Sequence, residues 1–296
     1  MAACVYFLSL PFVYLISIQP FWVLYRLSDL VCFILFRMVG YRSSVVIANL
    51  RNSFPDKDDA EIRRICARFY QFFCDLIFET IKMLTISRRA VLRRMTFDGL
   101  PVFERYAQER QSVIVAMGHF GNWELAGARF SAEPIHDFCA IYKPLRNPYF
   151  DKLLLHSRTR NGSRMYKMNQ ALRDMVTDKD RLTATIFLAD QTPNPARKTY
   201  WTTFLHQDTA MFTGIDQISR KYNMPVIYLS PRRTRRGNYN LHAEVIAERP
   251  RELPPFAIIE RYVQALERDI YQHPALWLWT HRRWKRKRLP TASVPV

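Results

Sequence analysis

The sequence predicts an α/β fold, a central mixed β-sheet flanked by helices, with a hydrophobic membrane-anchoring helix at the N-terminus. Three observations predict it. Short β-branched, uncharged runs alternate with longer stretches of helical periodicity from residue 95 onward, the order of elements that builds a layered α/β domain. One of these runs, residues 112–117 (Ser-Val-Ile-Val-Ala-Met), carries no charge anywhere, as a strand covered on both faces requires. Residues 5–25 also carry no charged side chain, a length that can cross a bilayer core.

Taken in order, the N-terminal run includes Phe7, Leu8, Phe12, Leu15, Ile18, Phe21 and Trp22. Pro11 and Pro20 should kink or shorten it. It lacks the basic flank and small-residue cleavage site of a signal peptide. Arg26, Arg37, Arg42 and Arg51 follow it, which puts the rest of the chain on the cytoplasmic side. Whether the segment spans the bilayer or lies in the interface is open at this level. The expected organisation is a membrane-associated helical segment of residues 1–38 and one domain of residues 39–296.

A helix ends at Asn49-Leu50-Arg51-Asn52-Ser53-Phe54-Pro55. Residues 56–84 then form a long amphipathic helix, or two, since Ile62, Ile65, Phe69, Phe72, Phe73, Leu76 and Ile81 recur at helical spacing. A short strand is expected at 95–98 and a helix from Pro101 to Glu109. After the strand at 112–117, Gly118 and Gly121 let the backbone turn, and Asn122 caps a helix starting near Trp123. Residues 138–142 are the next buried strand. A helix from Pro148 carries Arg158 and Arg160 near its C-terminal end, where cations suit the dipole. A strand at 183–188 leads to Ala189-Asp190-Gln191, a helix is expected over 211–222, strands at 225–229 and 239–246 pair, and a last helix covers 254–271.

The net charge of +18 calls for an anionic partner. The five cysteines are odd in number and form no Cys-x-x-Cys pair, which fits buried thiols in a reducing compartment. A Gly-x-Ser-x-Gly elbow, His-Glu-x-x-His, a Walker A loop and Gly-x-Gly-x-x-Gly are all missing from the sequence, so a serine hydrolase, a zinc enzyme and a nucleotide-cofactor enzyme are disfavoured, and no metal or cofactor is expected.

The stretch with chemistry in it is Met117-Gly118-His119-Phe120-Gly121-Asn122-Trp123-Glu124-Leu125. Residues five apart on one helix point in different directions. A turn carrying His119 followed by a helix carrying Glu124 can bring a carboxylate back to the imidazole, the arrangement of a general base oriented by an acid.

Gly-His-Phe-Gly-Asn-Trp-Glu-Leu resembles the signature of the lysophospholipid acyltransferase superfamily, and more narrowly the late, lauroyl- and myristoyl-type acyltransferases of bacterial lipid A biosynthesis. Tyr142-Lys143-Pro144, Asn147-Pro148, Asp151 and Arg158 look like that group's second block. Ala189-Asp190-Gln191 looks like its third, Phe204 with Thr213-Gly214 and Pro225-Val226 follow its later pattern, and residues 279–285 resemble its C-terminal ending. The likeness runs in order over roughly residues 40–288. It departs at Lys143, where arginine is common, and at Met211 and Phe212, where threonines are usual; these changes bear on acyl-chain and acceptor preference.

The resemblance implies a glycerolipid acyltransferase-like fold and an acyl-carrier-protein-dependent O-acyltransferase. The donor would be an acyl thioester on acyl carrier protein, and the acceptor a hydroxyl of a phosphorylated glycolipid, a lipid A precursor. His119 would be the general base and Glu124 its orienting acid. Backbone N–H groups around Gly121 would face the oxyanion. Arg158, with Lys143 and Arg146, would bind phosphate, and Asp190 is the acid of the third block. The place of action would be the bacterial inner membrane, with the catalytic domain facing the cytoplasm and no nucleic acid involved. Two other readings stand beside it: acylation of another membrane lipid, an aminolipid or lysophospholipid, and a non-enzymatic, basic, membrane-anchored binding protein.

Overall fold

The computed structural model describes residues 2–194 and 199–288. Helix α1 (Ala2–Ile18) tolerates Pro11 and stops at Gln19-Pro20, where the missing proline N–H and the restriction on the preceding residue end a helix. Helix α2 (Phe21–Cys32) restarts from Pro20 and runs into a wider, π-type turn at Phe33–Met38. Among the described residues no single helix is long and apolar enough to cross a membrane; one pair, Phe21–Met38 with Ser43–Ser53, passes on length and composition but is bent by 87°. The outer face of α1 and α2 leaves Phe7, Leu8, Phe12, Leu15, Ile18 and Trp22 exposed. The inner face of α2 buries Leu24, Ser28 and Cys32.

Helix α3 (Ser43–Ser53) follows, and its buried Asn49 donates to the carbonyls of Trp279 (2.9 Å) and His281 (3.1 Å), tying the C-terminal segment to the body. Helix α4 (Asp59–Lys82) is the long amphipathic helix of the sequence, capped by Asp58, whose carboxylate accepts from Glu61 N at 2.7 Å. Helix α5 (Arg88–Arg94), strand β1 (Met95–Thr96), helix α6 (Leu100–Gln108), strand β2 (Val113–Met117) and helix α7 (Trp123–Ser131) come next. Then come β3 (Asp137–Tyr142), α8 (Pro148–Thr159), β4 (Arg164–Lys167), α9 (Ala171–Thr177) and β5 (Thr183–Leu188). The chain continues as β6 (Thr199–Phe204), β7 (Gln207–Phe212), α10 (Gly214–Tyr222), β8 (Val226–Arg235), β9 (Asn238–Ala247) and α11 (Ala257–Gln272).

Among the described residues, seven strands form one mixed sheet in the order β1-β9-β8-β2-β5-β3-β4. From β8 to β4 every neighbour is parallel, β8 and β9 form an antiparallel hairpin, and β1 lies parallel to β9. Strand β2 is buried along its whole length. Its alternation splits the core. Ile114 and Ala116 pack with α4 and α11, through Phe69, Ile258 and Tyr262. Val113, Val115 and Met117 pack on the other face with Phe103, Leu125 and Phe130 of α6 and α7. The C-terminal ends of β2, β5 and β3 open at one edge of the sheet, where sites of open α/β sheets lie.

The sequence expectation of a helix over 211–222 needs correction. Residues Gln207–Phe212 are the second strand of a separate two-stranded sheet paired antiparallel with Thr199–Phe204, and the helix starts only at Gly214. The hairpin turn is made by Leu205 and His206, both at positive φ (51° and 62°). The usual Asn-Gly or Asp-Gly signal of such a turn is missing.

Candidate active site

Strand β2 delivers the chain into a tight turn. At Gly118 a Cβ would meet Leu266 Cδ1 at 2.7 Å, so α11 packs directly on the backbone there. At Gly121 φ is +56° and a Cβ would lie 1.9 Å from the Pro231 carbonyl oxygen; only glycine fits. Between them, Phe120 bridges antiparallel to Trp277: Gly121 N donates to Leu276 O (2.9 Å) and Leu278 N donates to His119 O (3.1 Å). Asn122 then caps α7 as expected, its Oδ1 accepting from Leu125 N at 2.8 Å.

Within this turn the imidazole of His119 is held by Asp190. Nδ1 lies 2.6 Å from Asp190 Oδ1, and His119 N donates to Asp190 Oδ2 at 2.8 Å. Trp277 Nε1 donates to the same Oδ2 at 2.8 Å. Asp190 follows β5 directly and is 2 % exposed. Burial alone would raise its carboxyl, but the charge of His119 and the hydrogen bonds from His119 and Trp277 outweigh it and hold the group down at about 2. It is therefore an ionised acceptor, and His119 carries its proton on Nδ1, leaving Nε2 as the acceptor. Gln191 Nε2 lies 3.2 Å from that nitrogen. Trp123 packs edge-on against the ring, centroids 5.0 Å apart.

Beneath Asp190 lies the buried Arg283, which donates to Ala210 O at 2.6 Å and Met211 Sδ at 2.8 Å. Burial lowers this guanidinium to about 10, against the attraction of Asp190. His281, half-buried, is lowered to about 4 by desolvation, and its Nε2 accepts from Thr192 N at 3.2 Å.

Glu124 does not orient the imidazole as its spacing suggested. It sits on the first turn of α7 and faces α8, where Arg158 forks onto it: Nε donates to Oε2 at 2.9 Å and an Nη donates to Oε1. The pair is partly buried, with side chains 12 % and 24 % exposed. Burial would lower the guanidinium of Arg158, and the adjacent charge of Glu124 raises it beyond its ordinary value. The pair lines the mouth of an apolar cavity between α7, α8 and the sheet, walled by Met117, Trp123, Gly127, Phe138, Ile186 and Leu188.

The other expected residues are placed as follows. Asp190, the acid of the third block, stands behind His119, its carboxylate also accepting from Trp277. The N–H of Gly121 is spent on Leu276 O and does not face an oxyanion; this glycine is there for backbone geometry. Lys143 and Arg146 lie exposed on the loop between β3 and α8.

Sequence reasoning missed Glu79. This buried carboxylate on α4 accepts from Asn122 Nδ2 (2.6 Å), Tyr239 OH (2.9 Å) and Tyr25 OH (2.9 Å). Burial raises its pKa, opposed by those three donors. Sequence shows only an acid on an aromatic-rich helix. The signal that could have found it is the polar residue set in an apolar stripe, which demands partners.

The chain is similar to known proteins along most of its length. Residues 2–286 match the family model of bacterial lipid A biosynthesis acyltransferases. The lipid A biosynthesis lauroyltransferase of Escherichia coli K12 is 22 % identical over 282 residues, covering 94 % of this chain and 90 % of that protein. The palmitoleoyltransferase of the same organism is 22 % identical over 86 % of this chain and 82 % of its own length. A lipid A biosynthesis acyltransferase of Haemophilus influenzae is 24 % identical, with 86 % and 80 % covered.

Proposed function

The chain belongs to the bacterial lipid A biosynthesis acyltransferase family, and from that premise we propose that it transfers a fatty acyl chain from acyl carrier protein to a hydroxyl of a lipid A precursor. The observation that carries the reading is the imidazole of His119, held through Nδ1 by a buried, ionised Asp190 with Nε2 left as acceptor. This is the arrangement of a general base with an orienting acid.

The acceptor hydroxyl takes the place of the Gln191 amide at Nε2. Nε2 accepts its proton as the oxygen forms a bond to the thioester carbonyl carbon. The C–S bond breaks, and the proton passes from the imidazolium to the departing thiolate. Asp190 stabilises the imidazolium while it exists. No covalent acyl-enzyme is required. The small apolar cavity beside Glu124 and Arg158 admits the first carbons of the donor's acyl chain, and the fork between these two residues fixes the position of its mouth. Arg158 also faces the substrate there, and Lys143 and Arg146 supply exposed cations for phosphate or for the acidic carrier protein. The exposed apolar face of α1 and α2 seats the protein on the cytoplasmic side of the inner membrane.

The test is transfer of a labelled acyl chain from acyl carrier protein to a lipid A precursor by purified protein. Wild type should transfer and His119→Ala should not, while both melt at similar temperatures. A folded His119→Ala variant that transfers at the parent rate overturns the mechanism.

A further inference from the structure

A second apolar depression opens at the same sheet edge, on the opposite face from the donor cavity. It lies between α9, α10 and the end of β5, walled by Leu172, Phe187, Phe212, Ile215 and Ile218. Ile141 and Leu188 line both spaces, so the two share a wall. The lip of the second is Leu188 and Ala189, immediately before Asp190, whose carboxylate holds His119. The second space is thus joined to the imidazole of His119 through Asp190, the next residue along the chain from its lining.

We infer that this second groove binds the acyl chain of the acceptor, the chain that bears or flanks the reacting hydroxyl. The inference rests on the acyl-transfer reading above: that reaction brings two chain-bearing lipids to one nitrogen, and the cavity beside Glu124 accounts for only one of them. The lining fits a hydrocarbon chain and not a phosphorylated head. Its polar side chains are Thr213 and Gln217, and no charged residue lines it among the described residues. The apolar surface continues outward over Met168, Leu172 and Val176, 38 %, 46 % and 45 % exposed, as a groove filled from a lipid phase would. At about 420 Å³ against about 60 Å³ for the donor cavity, it is the roomier seat and lies within the usual range of ligand pockets, about 300–1,000 Å³. The groove also gives a place to Thr213-Gly214 and to the unusual Phe212 of the sequence. Phe212 forms its wall, whereas the neighbouring Met211 is buried against Arg283. Phe212 is thus the residue that sets which acceptor chain fits.

Two variants test this in the full chain, with acyl carrier thioester as donor and lipid A precursors carrying long or shortened acceptor chains. Ile218→Trp fills the groove and should raise KM for the long-chain acceptor about tenfold, the usual scale for misfit in an apolar pocket. KM for the donor should be unchanged, and the penalty should be small for the shortened acceptor. Phe212→Ala should shift preference toward longer acceptor chains; it only removes volume, and carries the test if Ile218→Trp does not fold. Wild-type turnover with acceptor KM unmoved in both variants, or with donor chain preference shifted instead, overturns the groove assignment alone. A folded wild type that transfers to none of the acceptors overturns the acyl-transfer reading and this assignment with it.

Discussion

Asp190→Asn separates the two carboxylates that stand near His119. Asp190 serves three donors: His119 N and Trp277 Nε1 share Oδ2, each at 2.8 Å, and His119 Nδ1 lies 2.6 Å from Oδ1. An asparagine has one accepting oxygen. It satisfies most donors by turning that oxygen to the shared position, which leaves its NH2 facing Nδ1. The imidazole must then accept at Nδ1 and carry its proton on Nε2, where it can no longer take one from a hydroxyl. A wrong tautomer of this kind costs about four orders of magnitude in kcat, or about 5.5 kcal/mol of barrier. Both KM values should hold, because Asp190 touches no substrate. The assay is single-turnover transfer of labelled acyl chain, with circular dichroism melts as the folding control. Transfer within tenfold of wild type refutes the reasoning, and more so if Glu124→Gln shows the large loss instead. Since the carboxyl of Asp190 is held below its ordinary value of 3.8, its stabilising effect is fully present above that value and fades as pH falls toward about 2.

The remaining predictions follow from single contacts. Arg158→Lys cannot reproduce the two-pronged contact on Glu124, and should lower kcat/KM at least about tenfold, measured with donor and acceptor varied separately. Gly121→Ala puts a methyl 1.9 Å from the Pro231 carbonyl at φ +56°; chemical denaturation should show a loss of about 3 kcal/mol, and activity should fall with it. His281 is lowered from 6.5 to about 4 by burial, so the unfolded chain binds its proton first. Its contribution is intact above pH 6.5 and is lost as pH falls toward 4, and His281→Asn should flatten the stability-versus-pH slope in that window.

The sheet was legible because its central strands are buried on both faces, and β-branched, uncharged runs such as residues 113–117 and 183–188 have few other readings. The cap at Asn122 was legible because the signal is local: a polar side chain three residues before the amide it accepts from. The partner of His119 was not, because Asp190 lies 71 residues away and is brought in by strand pairing between β2 and β5. Glu124, five residues off, was the nearer candidate in sequence, and helix direction sends it to Arg158. The β6–β7 hairpin escaped notice because Leu205 and His206 hold positive φ under tertiary packing, Leu205 being fully buried. The N-terminal run read as one membrane-crossing length, but Pro20 divides it, and the second half buries Leu24 and Ser28 against α4.

Glu79 gives the molecule a common datum. Tyr25 from the N-terminal layer, Tyr239 from β9 and Asn122 from the turn after His119 all hydrogen-bond its two carboxylate oxygens. Three parts built far apart in the sequence are thereby measured from one point. A fluid bilayer offers an enzyme no fixed height from which to reach a substrate. If the outer face of α1 and α2 rests on lipid, the distance from that surface to Nε2 of His119 is set inside the protein, before any substrate arrives. Tilting α2 alone would strip a donor from a buried carboxylate, so the layer and the turn move together.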